Sequence, residues 1–274
     1  MDWSLVLASQ GIEPAIEAPA DGLGWGLLVR EDEHARAVEA IRLYERENRH
    51  WPWQQRLSMQ ELVFDWTSVA WGALLILFFW LAERSVDLQK LGEMNRFAVN
   101  QGQWWRLFTA VWLHADIAHL AGNVGLGIIL LGLAMGRYGT TVGLLAAYLA
   151  GASGNAVVWL LAPGPHPSLG ASGMVMGALG LLAMRWLPLW RKNPHARRFI
   201  VSGLLGGVLL FVFLGTSPGS DVLAHAGGFV SGILLGSVLN RFRGLAAREW
   251  LMLVAGLVFL ILILWPWWLA LRHS

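Results

Sequence analysis

Apolar residues gather into seven stretches almost free of charge, near 64–82, 117–136, 140–161, 170–187, 199–215, 221–239 and 249–271. Each runs to roughly 17–23 residues, enough for a helix to cross the hydrocarbon of a bilayer. Residues 1–50 follow another pattern. "WSLVLASQ" predicts a short helix, and "PAIEA" and "WGLLV" predict two strands around the turn signal Asp21-Gly22. "EDEHARAVEAIRLYEREN" predicts a helix, acidic first and basic later, with Ala37, Val38, Ile41 and Tyr44 at helical spacing. "RHWPWQQR" reads as a linker toward the membrane. The connection 83–116 is rich in Trp and Phe yet carries four basic residues, which predicts a structured segment at the membrane interface.

The chain is thus expected to be an all-α polytopic membrane protein with a small N-terminal α+β unit. Its domains are expected at 1–60 (N-terminal unit and linker), 61–240 (six-helix core) and 241–274 (an additional C-terminal transmembrane helix).

Composition agrees: 56% of the 274 residues are hydrophobic and 14% charged, against about 25% charged in a soluble domain. Many of the 17 Trp sit at the ends of apolar runs, where indole rings favour the headgroup layer. There is no Cys, so disulfides, thiolate nucleophiles and Cys-ligated metal are excluded. No cluster has metal-ligand spacing, and no cofactor is expected. The acidic start, with Asp2, Glu13 and Glu17, does not read as a cleaved signal peptide. Residues 1–60 carry a net charge of −4 and residues 61–274 one of +6. The basic excess lies in the membrane loops and forms no phosphate-neutralising stripe, so no nucleic-acid partner is expected.

Lys and Arg in the short connections set the orientation. Arg137, the group Arg191, Lys192, Arg197 and Arg198, and the group Arg241, Arg243 and Arg248 follow the second, fourth and sixth runs, whereas 162–169 and 216–220 have none. The basic side is cytoplasmic, which places the N-terminus inside and the C-terminus outside. The charged 83–116 connection, on the outer side, counts against this topology. The second, fourth and sixth runs all begin on the outer face, and their first turns hold His119 and Asn123, Ser172, and His225. Ionisable groups inside a membrane are costly and point to function. These four share one depth, and their chemistry is complementary. An imidazole can take the proton of a hydroxyl nucleophile and return it to a leaving amine, while His119, Asn123 and free N–H groups at a helix start can bind an oxyanion.

"GASG" occurs twice, around Ser153 and around Ser172. Ser172 opens a helix, where backbone donors are free. Ser153 lies inside one, beside the packing stripe Gly143, Ala147 and Gly151, and reads as structural. Gly228 and Gly232 share the face of His225, and Gly173, Gly177 and Gly180 form a stripe behind Ser172, so the two helices can approach closely.

"GASGMVMGALG", "AHAGGFVSG" and "HADIAHLAGN" resemble the three signatures of the rhomboid intramembrane serine proteases, and "WWRLFTAVWLH" resembles that family's Trp-Arg loop element, here Trp105-Arg106. The likeness spans roughly 90–240. It implies a Ser172–His225 dyad with no acidic third member, and oxyanion contacts from His119, Asn123 and the Ser172 N–H. Arg106, Gly170, Gly173, Gly177, Gly228 and Gly232 would give structural support. It also implies hydrolysis of peptide bonds in or beside the transmembrane segments of single-span or polytopic substrates, from a wet cavity open to the outer side. The layout suggests a bacterial inner membrane, and the lipid bilayer and its proteins are the expected partners. Nothing in the pattern selects an oligomeric state. The seventh helix matches the six-plus-one arrangement of part of the family.

Two positions depart from the pattern: Met176 stands where many members have an aromatic, and Met135-Gly136 where many have a Glu. Asp221, four residues before His225, reads as a helix cap in preference to a triad acid. His114 and Asp116 are expected in loop or cap interactions, and His166 and His195 at the surface. The competing readings are a catalytically inactive binder of client helices, although both Ser172 and His225 are present, and a transporter, for which inverted halves or a charged pathway are missing. The spans exclude a soluble hydrolase, and "GASG" is not a G-x-S-x-G elbow.

Overall fold

The computed structural model describes residues 2–18, 25–48, 63–84, 86–163, 167–184, 201–202, 205–206, 208–209, 221–242 and 248–273. Most of the expected fifth run, 199–215, falls outside them. So do the linker, Asp21-Gly22, His166, His195 and the basic residues Arg191, Lys192, Arg197, Arg198 and Arg243. By contacts the chain divides into two units, Met1–Gln60 and Glu61–Ser274.

In the first unit, α1 (Asp2–Ser9) and α2 (His34–Asn48) accompany a two-stranded antiparallel sheet. Its strands, β1 (Ala15–Glu17) and β2 (Gly26–Leu28), pair Ala15 with Leu28, Ile16 with Leu27 and Glu17 with Gly26. Leu7, Ile12 and Ala37 make its small core, with Leu27, Val29, Ala40 and Ile41 packed around them.

The second unit begins with α3 (Ser68–Glu83). Three short helices follow, α4 (Val86–Gly92), α5 (Arg96–Asn100) and α6 (Arg106–Thr109), then the long helices α7 (Ile117–Tyr138) and α8 (Thr140–Leu161). After these come α9 (Ser172–Ala183), α10 (Val222–Arg241) and α11 (Glu249–Arg272). Among the described residues, α7, α8, α10 and α11 are long and apolar enough to cross a membrane, and α3 and α9 are shorter apolar helices. Outward positions of α11 such as Leu253, Leu257, Ile261 and Leu264 are exposed, a belt that suits lipid and not water.

The 83–116 connection is folded, as expected. Asn95 caps α5 by accepting the N–H groups of Phe97 (3.0 Å) and Ala98 (3.2 Å). The Arg106 guanidinium is buried and donates to Gln103 (2.6 Å) and to the carbonyls of Lys90 and Glu93 (both 2.8 Å). One planar fork thereby fixes two neighbouring turns. The end of α11 packs on this segment: Trp267 lies against Gly92, and His273 stacks on Trp105 with ring centroids 4.9 Å apart. The Tyr148 hydroxyl accepts from the Trp112 indole (3.2 Å) and lies 3.2 Å from the carbonyls of Phe108 and Leu262, which ties α8, this segment and α11 together.

The first apolar run departs from expectation at its start, since α3 begins only at Ser68. Residues 63–65 instead lie in a groove on α7. The Val63 carbonyl fills the space of a missing Gly136 side chain, Phe64 fills that of Gly132, and the Asp65 N–H bonds the Gly132 carbonyl at 2.9 Å. At Met135-Gly136, where many family members have a Glu, the notch is thus filled by the chain's own residues 63 and 64. The Asp65 carboxylate accepts the hydroxyls of Thr140 (2.5 Å) and Thr67 (2.6 Å) and the Thr67 N–H (2.9 Å). Burial opposes ionisation of Asp65, but the three bonds outweigh it and hold the pKa below its ordinary 3.8. A depressed carboxylate pKa adds stability above the unfolded value, which is lost as pH falls through the folded one. Asp65→Asn is expected to cost about 1 kcal/mol at pH 7. Thermal unfolding in detergent should show that deficit shrink below pH 3.8; an equal deficit at pH 7 and pH 3 would exclude this account.

Candidate active site

Helix α9 is enclosed by α7, α8 and α10, and every residue from Gly173 to Leu181 is buried. A helix that starts inside a packed bundle needs partners for the irregular backbone leading into it. The turn before Ser172 has them. Ser168 and Met94 exchange backbone hydrogen bonds of 2.9 and 3.0 Å, the Gly170 N–H donates to the Ala110 carbonyl (2.9 Å), and the Ala171 N–H donates to His114 Nε2 (3.4 Å). Gly170 sits at φ +129°, a backbone region open to glycine. Ser172 is then the first helical residue and half-buried. N–H groups in this first turn have no partner within the helix.

Across from it, Asp221 caps α10 through the Ala224 N–H (3.0 Å), in the role expected of it. Ala224 and Gly228 lie against Gly173: a β-carbon at Gly228 would fall onto the Gly173 carbonyl, and one at Gly173 would meet the Ala224 carbonyl at 3.5 Å. The same interlock recurs one turn on, where Gly232 meets the Gly177 carbonyl, and again where Gly180 meets the Phe229 carbonyl. Backbone therefore touches backbone along α9 and α10. Ser172, beside Gly173, and the buried His225, beside Ala224, extend from adjoining turns.

Helix α7 closes the third side. Asp116 caps it by accepting the His119 N–H (2.8 Å). A β-carbon at Gly170 would lie 2.7 and 2.8 Å from His119 Cε1 and Nε2 and 3.6 Å from Asn123 Nδ2. Both side chains therefore border the turn that leads into Ser172, and His119 and His225 lie close enough for their charges to interact. Asn123 is 7% exposed, and its Nδ2 is buried without a hydrogen-bond partner. A buried donor left unsatisfied is costly and calls for a reason. Gly170→Ala would force a methyl onto His119 in an unfavourable backbone region, and is expected to cost about 1–3 kcal/mol, read as a lower unfolding midpoint. A midpoint equal to wild type would refute both the clash with His119 and the backbone strain at Gly170.

The two serines separate. The Ser153 hydroxyl donates to the Leu149 carbonyl one turn back at 2.8 Å, inside α8. Met176 is buried in the main core cluster. His114, expected only in loop or cap contacts, is 3% exposed and touches both the Ser172 turn and the His119 ring, with centroids 5.2 Å apart. Burial first, then the neighbouring His119 charge, pushes its pKa down to about 3 against smaller opposing effects of the Trp112 backbone and Asp116. The available signal was an ionisable residue, directly after buried Leu113, five positions before His119.

The family model for the Rhomboid domain matches residues 101–242, just over half of the chain. RHOMBOID-like protein 1 of Arabidopsis thaliana is 32% identical over 160 residues, covering 58% of this chain and 40% of that protein. RHOMBOID-like protein 5 of the same plant is 30% identical over 154 residues, 56% of this chain and 49% of its own. Rhomboid protease GluP of Bacillus subtilis is 32% identical over 176 residues, 61% of this chain and 34% of its own. The matched stretches thus span half or less of each of these relatives. The motif-bearing elements, from the 101–112 segment to α10, lie within the matched residues, and this chain belongs to the rhomboid family.

Proposed function

We propose that this chain is an intramembrane serine endopeptidase acting through a Ser172–His225 dyad. His225 takes the Ser172 hydroxyl proton as Oγ attacks a substrate carbonyl carbon. The oxyanion that forms is held by Asn123 Nδ2, His119 Nε2 and the Ser172 N–H. His225 then passes the proton to the leaving amine, the C–N bond breaks, and an acyl-enzyme remains. Water, deprotonated by His225, attacks that ester; the carboxylic acid leaves and Ser172 recovers its proton.

The observation that carries this reading is the unpartnered, buried Asn123 amide beside the Ser172 turn. A donor kept empty in the resting state is suited to charge that appears only during reaction. The kinship with a bacterial rhomboid protease supports it.

The substrates are membrane proteins whose helices unwind locally to expose a carbonyl, which Gly, Ala or Pro near the outer end would ease. The site opens to the outer side of a bacterial inner membrane, with the N-terminus in the cytoplasm and the C-terminus outside. The assignment keeps a unit at 1–60, a six-helix catalytic core at 61–240 and one additional helix at 241–274. The decisive experiment treats folded, detergent-solubilised protein with a serine-reactive fluorophosphonate, and co-expresses it with a single-span reporter. Adduct on Ser172 and cleavage of the reporter are expected. A folded protein that does neither, yet retains the reporter, would instead be a non-catalytic binder of client helices.

A further inference from the structure

We infer that His114 is a positioning residue for the nucleophile: its Nε2 lone pair holds the Ala171 N–H and so sets the direction in which the Ser172 turn presents its own N–H and hydroxyl. The inference rests on the protease reading above and adds a residue that the dyad and the oxyanion donors leave out.

Two consecutive donors before the serine are already committed, the Gly170 N–H to the Ala110 carbonyl at 2.9 Å and the Ala171 N–H to His114 at 3.4 Å. The next N–H in line belongs to Ser172, and fixing the two before it leaves that one for the oxyanion. His114 also meets the His119 ring edge to face, with an interplanar angle of 64°. One side chain thereby references both the nucleophile's turn and an oxyanion donor. To accept from Ala171, the imidazole must be neutral with its proton on Nδ1. Burial keeps it neutral. Nδ1 is buried without a hydrogen-bond partner, so the fold retains a polar group that is unsatisfied. A leucine would fill the space without that group but would leave the buried Ala171 N–H without its acceptor. Retention of imidazole there is better explained by geometry needed in the reaction than by stability.

The test compares wild type, His114→Leu and His114→Gln, all full length. His114→Leu removes the acceptor, and His114→Gln returns an acceptor oxygen near the Nε2 position. The readouts are the unfolding midpoint, kcat and KM on a single-span reporter, and the rate of fluorophosphonate labelling at Ser172. Small displacements of a reacting group cost one to two powers of ten. His114→Leu leaves the buried Ala171 N–H unpaired, so its midpoint is expected to fall modestly; in the protein that remains folded, kcat and labelling are expected to fall about tenfold or more with KM near wild type, and His114→Gln to recover most of both losses. Wild-type rates in His114→Leu, a loss that only follows a lowered midpoint, or no rescue by glutamine would overturn the inference. If wild type itself is not labelled at Ser172, the protease reading fails first.

Discussion

Replacing Ser172 with alanine is expected to reduce cleavage of a single-span reporter by about 10⁴-fold or more while leaving the fold unchanged. Removing the nucleophile of a serine hydrolase loses the covalent route entirely, and only binding and oxyanion contacts remain to assist water. Ser172 is half-buried at the start of α9, and Gly173 meets α10 through backbone atoms. Removal of the hydroxyl should therefore leave the unfolding midpoint within a few degrees of wild type. His225→Ala is expected to fall as far, and the double variant no further, because the two groups act as one unit. Ser153→Ala is the internal control: its hydroxyl only back-bonds to Leu149 within α8, so activity should persist. Equal loss from Ser153→Ala and Ser172→Ala would reverse the assignment of the two "GASG" serines.

Gly228→Val should disable the protein by another route, through the backbone contact of α9 and α10. A β-carbon at Gly228 falls onto the Gly173 carbonyl, and its surroundings include the Gly173 carbonyl carbon at 2.9 Å and Cα at 3.1 Å. These are main-chain atoms of a helix locked in turn by Gly151 against Met174 and by Gly177 against Ala150, so they cannot yield as a side-chain tip would. The helices must separate. Overpacking of this kind costs about 1–3 kcal/mol for ordinary side-chain clashes and more for backbone, which lowers the midpoint by several degrees in a chain of this size. Because Gly173 follows Ser172 and Ala224 precedes His225, separation also parts the proposed dyad. Activity is expected to vanish even in the fraction that stays folded. Gly122→Ala and Gly125→Ala, where an added β-carbon meets nothing within 4 Å, should be silent in both assays. A Gly228→Val protein with wild-type midpoint and turnover would show that the α9–α10 seam has slack.

Both expectations start from features plain in the sequence, and their difference shows where its information ended. The apolar runs marked α3, α7, α8, α9, α10 and α11 because membrane hydrocarbon imposes a length and a composition on whatever crosses it. The cap at Asp221, the back-bonded Ser153 and the folded Trp-rich connection followed from equally local rules. Glycine spacing announced a close seam, since periodicity alone places Gly228 and Gly232 on one face. The partner atoms of that seam were not legible, because which helix fills a glycine notch depends on how the helices cross. Asp65 shows the same limit from the other direction. Its link to Thr140 joins residues 75 positions apart, and the pattern placed Asp65 inside a span, whereas Val63 and Phe64 leave the helix to fill the notches at Gly136 and Gly132.

By itself, then, the sequence determined which segments are apolar helices, which polar residues lie in the first turns of α7, α9 and α10, and which serine opens a helix; each is dictated by local hydrophobicity, periodicity and backbone donors within a few residues. Only the tertiary structure decided that Asn123 keeps an unpartnered amide beside Gly170, that His114 reaches Ala171, and that Asp65 binds the Thr140 hydroxyl at the start of α8. Those facts belong to contacts between distant turns, where shape and the loss of water, not residue type, select the partner.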